Sequence, residues 1–269
     1  QDAVLAFMQL IKKESDITRQ AIMEASGCGS GAITALVDKG VFQVKEKVIS
    51  RFQGHDVELD ANFQFNEIQQ QSFDQIKLHF ESKDVTLLHG VTASGKTQIY
   101  IRLIGEAIAV GKSTLYLLPE IALTAQITAR LKLHFGDKLA VYHSKFNDNE
   151  RAEVWHKVMK NEFQIIVGAR SSVFLPFQDL GIIIVDEEHE SSYKQYEPSP
   201  RYHARDTAIY LGYIHQTKVL LGSATPSIES FYNAKANKYG FVQMLERFGN
   251  AQLPEVHLVD IPLESRKEN

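Results

Sequence analysis

The sequence predicts an α/β fold, a central parallel sheet covered by helices, preceded by a small separate unit of helices and a hairpin. Three observations carry this. From Val85 onward, continuous apolar runs recur at 85–88, 115–118, 139–142, 165–167, 182–185 and 219–221, and strands buried on both faces need such unbroken runs. Helical stretches lie between most of them, for example 121–135, ended by Gly136, and 149–160, which is the alternation of a sheet with crossover helices. Before residue 53 the pattern differs: helical spacing appears three times and then gives way to two short β-like runs.

Bulk properties narrow the class. The 269 residues, 44% hydrophobic and 23% charged, support a substantial core in one large domain or two smaller ones. A formal net charge of −4 argues against a surface uniformly coated for nucleic acid, so any such binding must be local. The single cysteine, Cys28, excludes an internal disulfide or a cysteine-based zinc site within this sequence and fits a cytoplasmic location. No run approaches the ~20 apolar residues of a membrane span, so no membrane partner is expected, and no signal peptide is visible. The sequence opens at Gln1 without methionine and stops in a charged run, 264–269; it reads as a piece of a longer protein.

Residues 1–57 are expected to form the first domain. Val4, Leu5, Met8 and Ile11 fall at helical spacing, and a second helix starts near Asp16 or Thr18 and stops at Gly27. A third runs from Ser30 as N-cap through Ile33, Leu36 and Val37 to Gly40. The runs 41–44 and 48–52, flanking Lys45-Glu46-Lys47, then give a hairpin. Three helices and a hairpin describe a winged helix, whose third helix can enter a DNA groove. That helix carries only Lys39 as a base, and residues 1–57 hold seven Lys/Arg against seven Asp/Glu, so a scaffold or docking role fits better than sequence readout. Residues 58–84 follow as a linker and a helix opening at 65–73. A glutamine on that helix offers an adenine edge both a donor and an acceptor, or belongs to a solvated face; spacing alone leaves both open.

The chemistry concentrates at strand ends. The run 85–88 leads into Gly90-Val91-Thr92-Ala93-Ser94-Gly95-Lys96-Thr97, which satisfies G-x-x-x-x-G-K-[ST] in its setting of strand, loop and helix. Backbone N–H groups along Gly90, Thr92, Ser94 and Gly95 can close around phosphate oxygens; Lys96 can reach the β- and γ-phosphates, and Thr97 can ligate Mg²⁺. Asp186-Glu187-Glu188-His189 ends the 182–185 run, 90 residues beyond Lys96. Asp186 would hold Mg²⁺ through its water shell, Glu187 would polarise the water that attacks the γ-phosphate, and His189 would sense the γ-phosphate side. Gly222-Ser223-Ala224-Thr225 ends the 219–221 run, where the Ser223 and Thr225 hydroxyls can relay nucleotide state to another surface.

These pieces resemble a superfamily 2 helicase motor, and among such motors the primosomal replication-restart helicases. The resemblance covers residues 1–262 and rests on the phosphate loop, Leu118-Pro119-Glu120-Ile121-Ala122-Leu123-Thr124, Gly168-Ala169-Arg170-Ser171-Ser172-Val173-Phe174, Asp186–His189 with Ser191-Ser192-Tyr193-Lys194-Gln195, Arg201-Tyr202-His203-Ala204-Arg205-Asp206, and Gly222-Ser223-Ala224-Thr225-Pro226-Ser227. It implies a RecA-like P-loop NTPase lobe over residues 85–262, with 263–269 a tail toward a second lobe. It also implies that Gln69 reads adenine, that Pro119, Arg170 and Ser171 touch the tracked strand, and that Tyr193, Lys194, Arg201 and Tyr202 belong to an aromatic-rich loop coupling single-strand engagement to hydrolysis. Stacking on such aromatics suits sequence-independent binding; Glu197-Pro198-Ser199-Pro200 interrupts the usual spacing, so the stacking residue is not assigned uniquely.

ATP and Mg²⁺ are the cofactors so implied, with zinc only in a cysteine-rich region beyond this sequence. Single-stranded and forked DNA, replication-restart proteins and single-strand-binding proteins are the implied partners, and 3′→5′ unwinding at stalled forks the implied activity. An RNA helicase and a nucleotide-switched regulator share parts of this pattern. Two positions depart from the family. Ala93 replaces a glycine, which nucleotide binding is expected to survive unless φ there is positive, and Gln98 replaces a glutamate. A second lobe would bring the arginine that stabilises transition-state charge, so little turnover is expected of this segment alone.

Overall fold

The computed structural model describes residues 2–10, 17, 19–42, 64–120, 122, 125–143 and 146–247. The chain divides into two compact units, 1–50 and 51–269. In the first, α1 (Asp2–Leu10), α2 (Arg19–Ser26) and α3 (Ser30–Asp38) bury Ala3, Ile22 and Ile33, with Phe7, Leu10, Met23, Leu36 and Phe42 packed against them. In α1 the inward face is Ala3, Ala6, Phe7 and Leu10, while Leu5 and Met8, counted on the apolar face from spacing, are exposed. Ser30 is not the N-cap of α3: Gly29 holds the extended cap conformation, with φ −72° and ψ 162°, and no side chain caps the helix. Serine therefore occupies the first helical position. The hairpin over 41–52 lies, from residue 43 on, outside the described residues, as do residues 53–63, with the start of the expected linker, and the segment 248–269.

The second unit opens with α4 (Glu67–Ser82) and β1 (Val85–Gly90), followed by α5 (Lys96–Ala109), β2 (Ser113–Leu117), α6 (Ala125–Phe135), β3 (Leu139–Tyr142), α7 (Asp148–Met159) and β4 (Ile165–Gly168). Then come β5 (Leu180–Asp186), the two-residue strands β6 (Lys194–Gln195) and β7 (Tyr202–His203), α8 (Ala204–His215), β8 (Lys218–Ser223), α9 (Ile228–Lys235) and β9 (Gly240–Met244). Seven strands make one sheet in the order β3-β4-β2-β5-β8-β1-β9, and every pairing in it is parallel. Side chains of α4, α5 and α6 fill one face, and those of α7, α8 and α9 the other. The apolar runs are continuous for this reason: residues 182–185 of β5 are buried whichever way they point.

Parallel pairing puts all strand C-termini on one edge, where ligands of open α/β sheets bind. Along that edge, β8 lies between β1 and β5, pairing Leu88 with Gly222 on one side and Asp186 with Gly222 on the other. The phosphate loop and the acidic strand tip thus flank the Gly222-Ser223 tip. Two elements differ from expectation. The helix over 121–135 begins at Ala125, and the edge strand β9 appears in a stretch that carries no apolar run.

Candidate nucleotide-binding site

A loop that must turn sharply and then start a helix needs a residue free to adopt positive φ, and Gly95 does so, at φ 93° as the N-cap of α5. A side chain there would also collide with the Gln69 amide. The loop backbone closes on itself through Ser94 N–H to Val91 O, 3.1 Å, and Gln98 N–H to Gly95 O, 3.0 Å. Val91 N–H donates to Met244 O on β9 at 3.0 Å. Lys96 is buried, and its Nζ donates to Gly90 O at 2.6 Å and to Val91 O at 3.4 Å. The Ser94 hydroxyl is buried without a partner. Thr92 to Gln98, together with Arg130, Asp186 and Glu187, line a cavity of about 360 Å³. The sequence-predicted loop and acidic residues therefore share one pocket; Arg130, on α6, joins them without any sequence signal of its own.

Ala93 has φ 62°, so the condition set on this glycine replacement is not met. Left-handed backbone costs a non-glycine residue about 1–2 kcal/mol. Part of that cost returns as lost chain entropy when glycine is introduced. Ala93→Gly should accordingly stabilise the second unit by about 0.5–1 kcal/mol, raising its thermal midpoint by roughly 1–4 °C. A lower midpoint by calorimetry would show that the loop does not hold this conformation.

Gln69 requires a correction. It is fully buried and completes a capping box at the start of α4: Gln69 N–H donates to Asn66 Oδ1 at 2.8 Å, and Asn66 N–H to Gln69 Oε1 at 3.0 Å. Its Nε2 donates to Gln98 Oε1. Both ends of the amide are committed, so it presents no free edge to a base. The Asn66-x-x-Gln69 spacing is itself a capping signature.

Asp186 ends β5 among three tyrosines. Tyr100 of α5 donates to Oδ1 at 3.0 Å, Tyr116 of β2 to Oδ2 at 3.3 Å, and Tyr193 to the backbone oxygen at 2.7 Å. Burial, and next the charge on Glu187, raise the Asp186 carboxyl to a pKa of about 6; the Tyr100 hydrogen bond and Lys96 hold it from rising further. Burial, and next the Asp186 charge, push the Tyr100 and Tyr116 hydroxyls well above their ordinary value, so both remain donors. Glu187, with φ 46°, leaves the strand in left-handed conformation, the kind of backbone strain that clusters at functional sites. A hydroxyl at Thr97 and one carboxylate at Asp186 suit Mg²⁺, which keeps several waters and draws further ligands from phosphates. Among the described residues no cluster of three His, Cys, Asp or Glu side chains could hold a metal unaided.

His189 meets the Ser223 and Thr225 hydroxyls directly, Nδ1 to Ser223 Oγ at 2.8 Å and Nε2 to Thr225 Oγ1 at 3.2 Å. Glu188 was not singled out by its sequence context, yet it is the most enclosed of the four residues. It accepts from Ser227 N–H at 2.7 Å, from the hydroxyls of Ser227 at 3.0 Å and Ser230 at 2.7 Å, and from Arg205 Nη1 at 3.0 Å. Arg205 also bonds Asp206, at 2.9 Å, and Ser227 Oγ, at 2.7 Å. One buried carboxylate thus ties β5 to the starts of α8 and α9.

The residues expected to touch a nucleic-acid strand divide. Tyr193 is buried and bonded to Asp186 O, so its ring has no open face for a base, which narrows the choice of stacking residue in this loop to the others. Pro119 is buried too, its carbonyl accepting from Ala122 N–H, and so offers no exposed ring. Arg170 is half-buried and donates through Nη1 to Ser192 O at 3.3 Å and Lys194 O at 3.4 Å, holding the following loop. Ser171 and Lys194 are half-buried, Arg201 and Tyr196 exposed, and Tyr202 packs edge-on to the exposed Phe174, 4.8 Å between centroids. Ile121, Leu123 and Thr124 lie outside the described residues.

Comparison with known proteins bears on this arrangement. Residues 66–233 match the family described as DEAD/DEAH box helicase. The chain belongs to that family. The curated relatives include the replication restart protein PriA of Bacillus subtilis, 38% identical over 100% of this chain and 34% of its own length. PriA of Chlamydia trachomatis is 37% identical over 98% of the chain and 36% of its own length. The chain thus spans about a third of these relatives. The structure of RecG bound to a three-way DNA junction matches with a TM-score of 0.56 at 18% identity, covering 76% of this chain and 27% of that one, and supports the α/β lobe as fold. No helix among the described residues is long and apolar enough to cross a membrane.

Proposed function

We propose that this chain is the ATP-binding first lobe of a DNA helicase that acts in replication restart, preceded by a winged helix. One observation carries the motor reading: the phosphate loop, the Asp186–His189 tip and the Ser223/Thr225 hydroxyls meet at one sheet edge, with His189 bonded to both hydroxyls. A nucleotide switch needs a contact between the phosphate side and a strand that leads elsewhere, and β8 provides it. That the PriA relatives are replication restart proteins supports the replication-restart assignment.

In this reading Lys96, the Ser94 hydroxyl and the backbone of Gly90 to Gly95 bind the phosphates, and Arg130 adds positive charge at the pocket wall. Thr97 and Asp186 would hold Mg²⁺, which supplies charge neutralisation across the β- and γ-phosphates. Glu187, lining the cavity, takes the proton of the attacking water. Among the described residues, Arg201, Lys194, Tyr196, Tyr202 and Ser171 are placed to engage a single strand, by phosphate contact and stacking. Tyr193 and Arg170 serve that surface from below: one joins it to Asp186, the other pins its backbone.

The test is ATP turnover with and without single-stranded DNA, on the 269-residue chain and on a full-length protein carrying it. The chain alone should turn over at a few per cent of the full-length rate or less, because a transition-state arginine in related phosphoryl-transfer systems is worth 10³–10⁵ in rate. The full-length protein should be stimulated by DNA. Equal, DNA-independent rates in both would refute the motor reading.

A further inference from the structure

A metal-holding carboxylate at a strand end turns freely about its last torsion unless something fixes it, because that torsion has only a broad, two-fold preference. Here each carboxylate oxygen of Asp186 has its own phenol donor, Tyr100 on Oδ1 and Tyr116 on Oδ2. Both tyrosines are fully buried, and their rings meet edge-on at 5.6 Å. We propose that Tyr100 and Tyr116 are positioning residues for the nucleotide-bound cation, orienting the Asp186 carboxylate toward the ion held by Thr97. The proposal rests on the reading of Asp186 as the Mg²⁺-side carboxylate.

The geometry makes the pair specific. Tyr100 lies four residues after Lys96, one turn along α5 on the same face. The helix that begins at the phosphate loop therefore also reaches the acidic tip, and Thr97 and Asp186 are registered against each other through one rigid element. Tyr116 pairs with Ile184 across the β2–β5 ladder, two residues before Asp186 and on the same face. Gly222 pairs with Asp186 from the other side, and a side chain on it would collide with the Tyr100 hydroxyl. The missing Cβ at Gly222 leaves the room that Tyr100 occupies. A buried tyrosine needs some acceptor for its hydroxyl; two of them converging on the two oxygens of one carboxylate fix its plane as well as its place.

The experiment compares Tyr100→Phe, Tyr116→Phe and Asp186→Asn with the parent 269-residue chain at pH 8. Affinity for a fluorescent ADP is measured across a Mg²⁺ titration and in EDTA, and each thermal midpoint is recorded. Phenylalanine keeps the ring packing and removes only the donor. The expected result is unchanged affinity in EDTA, with a Mg²⁺ concentration for half-maximal tightening raised about 3–10-fold in each phenylalanine variant, the size of one hydrogen bond of ordinary net strength, because the donor acts on the ion only through the carboxylate it orients. A merely structural role would lower the thermal midpoint and leave the Mg²⁺ requirement in place. A requirement unmoved or lowered by both phenylalanine variants, while Asp186→Asn raises it, overturns the proposal. If Asp186→Asn itself leaves the requirement unmoved, the cation reading of Asp186 falls instead, and the proposal with it.

Discussion

Replacing Arg205 with methionine should destabilise the second unit by about 3–5 kcal/mol, the usual cost of removing one member of a buried ion pair. The mechanism is the carboxylate left behind. Glu188 has no exposed surface, and without the guanidinium it keeps only neutral donors, the Ser227 N–H and the hydroxyls of Ser227 and Ser230. For a unit of roughly this size the thermal midpoint falls by about 2–4 °C per kcal/mol, so a drop of roughly 6–20 °C is expected. Methionine fills most of the volume of the arginine stem, which separates loss of charge from loss of packing. The double variant Glu188→Leu with Arg205→Met should recover much of the loss, since an apolar pair of similar size often replaces a buried ion pair at little cost. A double variant as unstable as the sum of both singles, measured by calorimetry, would show that the pair is not coupled and that each side chain acts through other partners.

Replacing Lys96 with alanine should weaken ATP binding to the chain by about 10- to 150-fold, the range that corresponds to one charge-assisted hydrogen bond of roughly 1.5–3 kcal/mol. Lys96 Nζ now rests on Gly90 O and Val91 O, two carbonyls at the mouth of the loop, and a phosphate would draw it outward from them. Lys96→Arg should fare little better, because a planar fork does not match a cradle shaped for a single ammonium. In a full-length protein carrying this chain the alanine variant should lose unwinding altogether. Binding within twofold of the parent, by calorimetric titration with Mg·ATP, would remove Lys96 from the phosphate site.

The sheet was legible because its strands are buried on both sides, so each run of three or four mostly apolar residues is a strand regardless of register. Where burial is one-sided or an element is very short, the signal fades. Gly240–Met244 forms an edge strand with exposed Gln243, and β6 and β7 have two residues each. The site divides in the same way. The phosphate loop and acidic tip are local patterns whose chemistry depends on adjacent residues, so sequence alone placed them in one pocket. Glu188 escaped notice because its partners stand 17, 39 and 42 residues away. Which ring of the 193–203 loop could stack stayed open because composition records that a loop is aromatic and basic but not which members, such as buried Tyr193, face inward. Gln69 was weighed as an adenine reader or part of a solvated face, and a third role, capping α4 three residues from Asn66, takes up its amide.

The strand order has a consequence for how this lobe is made. β1, which carries the phosphate loop, pairs only with β8 and β9, strands that begin at Lys218 and Gly240. A ribosome releasing this chain would have emitted the whole phosphate loop more than a hundred residues before either neighbour of its strand existed. Contacts of such long sequence separation close late and slowly. Until β8 stands between β1 and β5, a nascent chain holds every residue of the loop but not the strand that registers it against the acidic tip, so the assembled pocket arrives only with β8 and, behind it, β9.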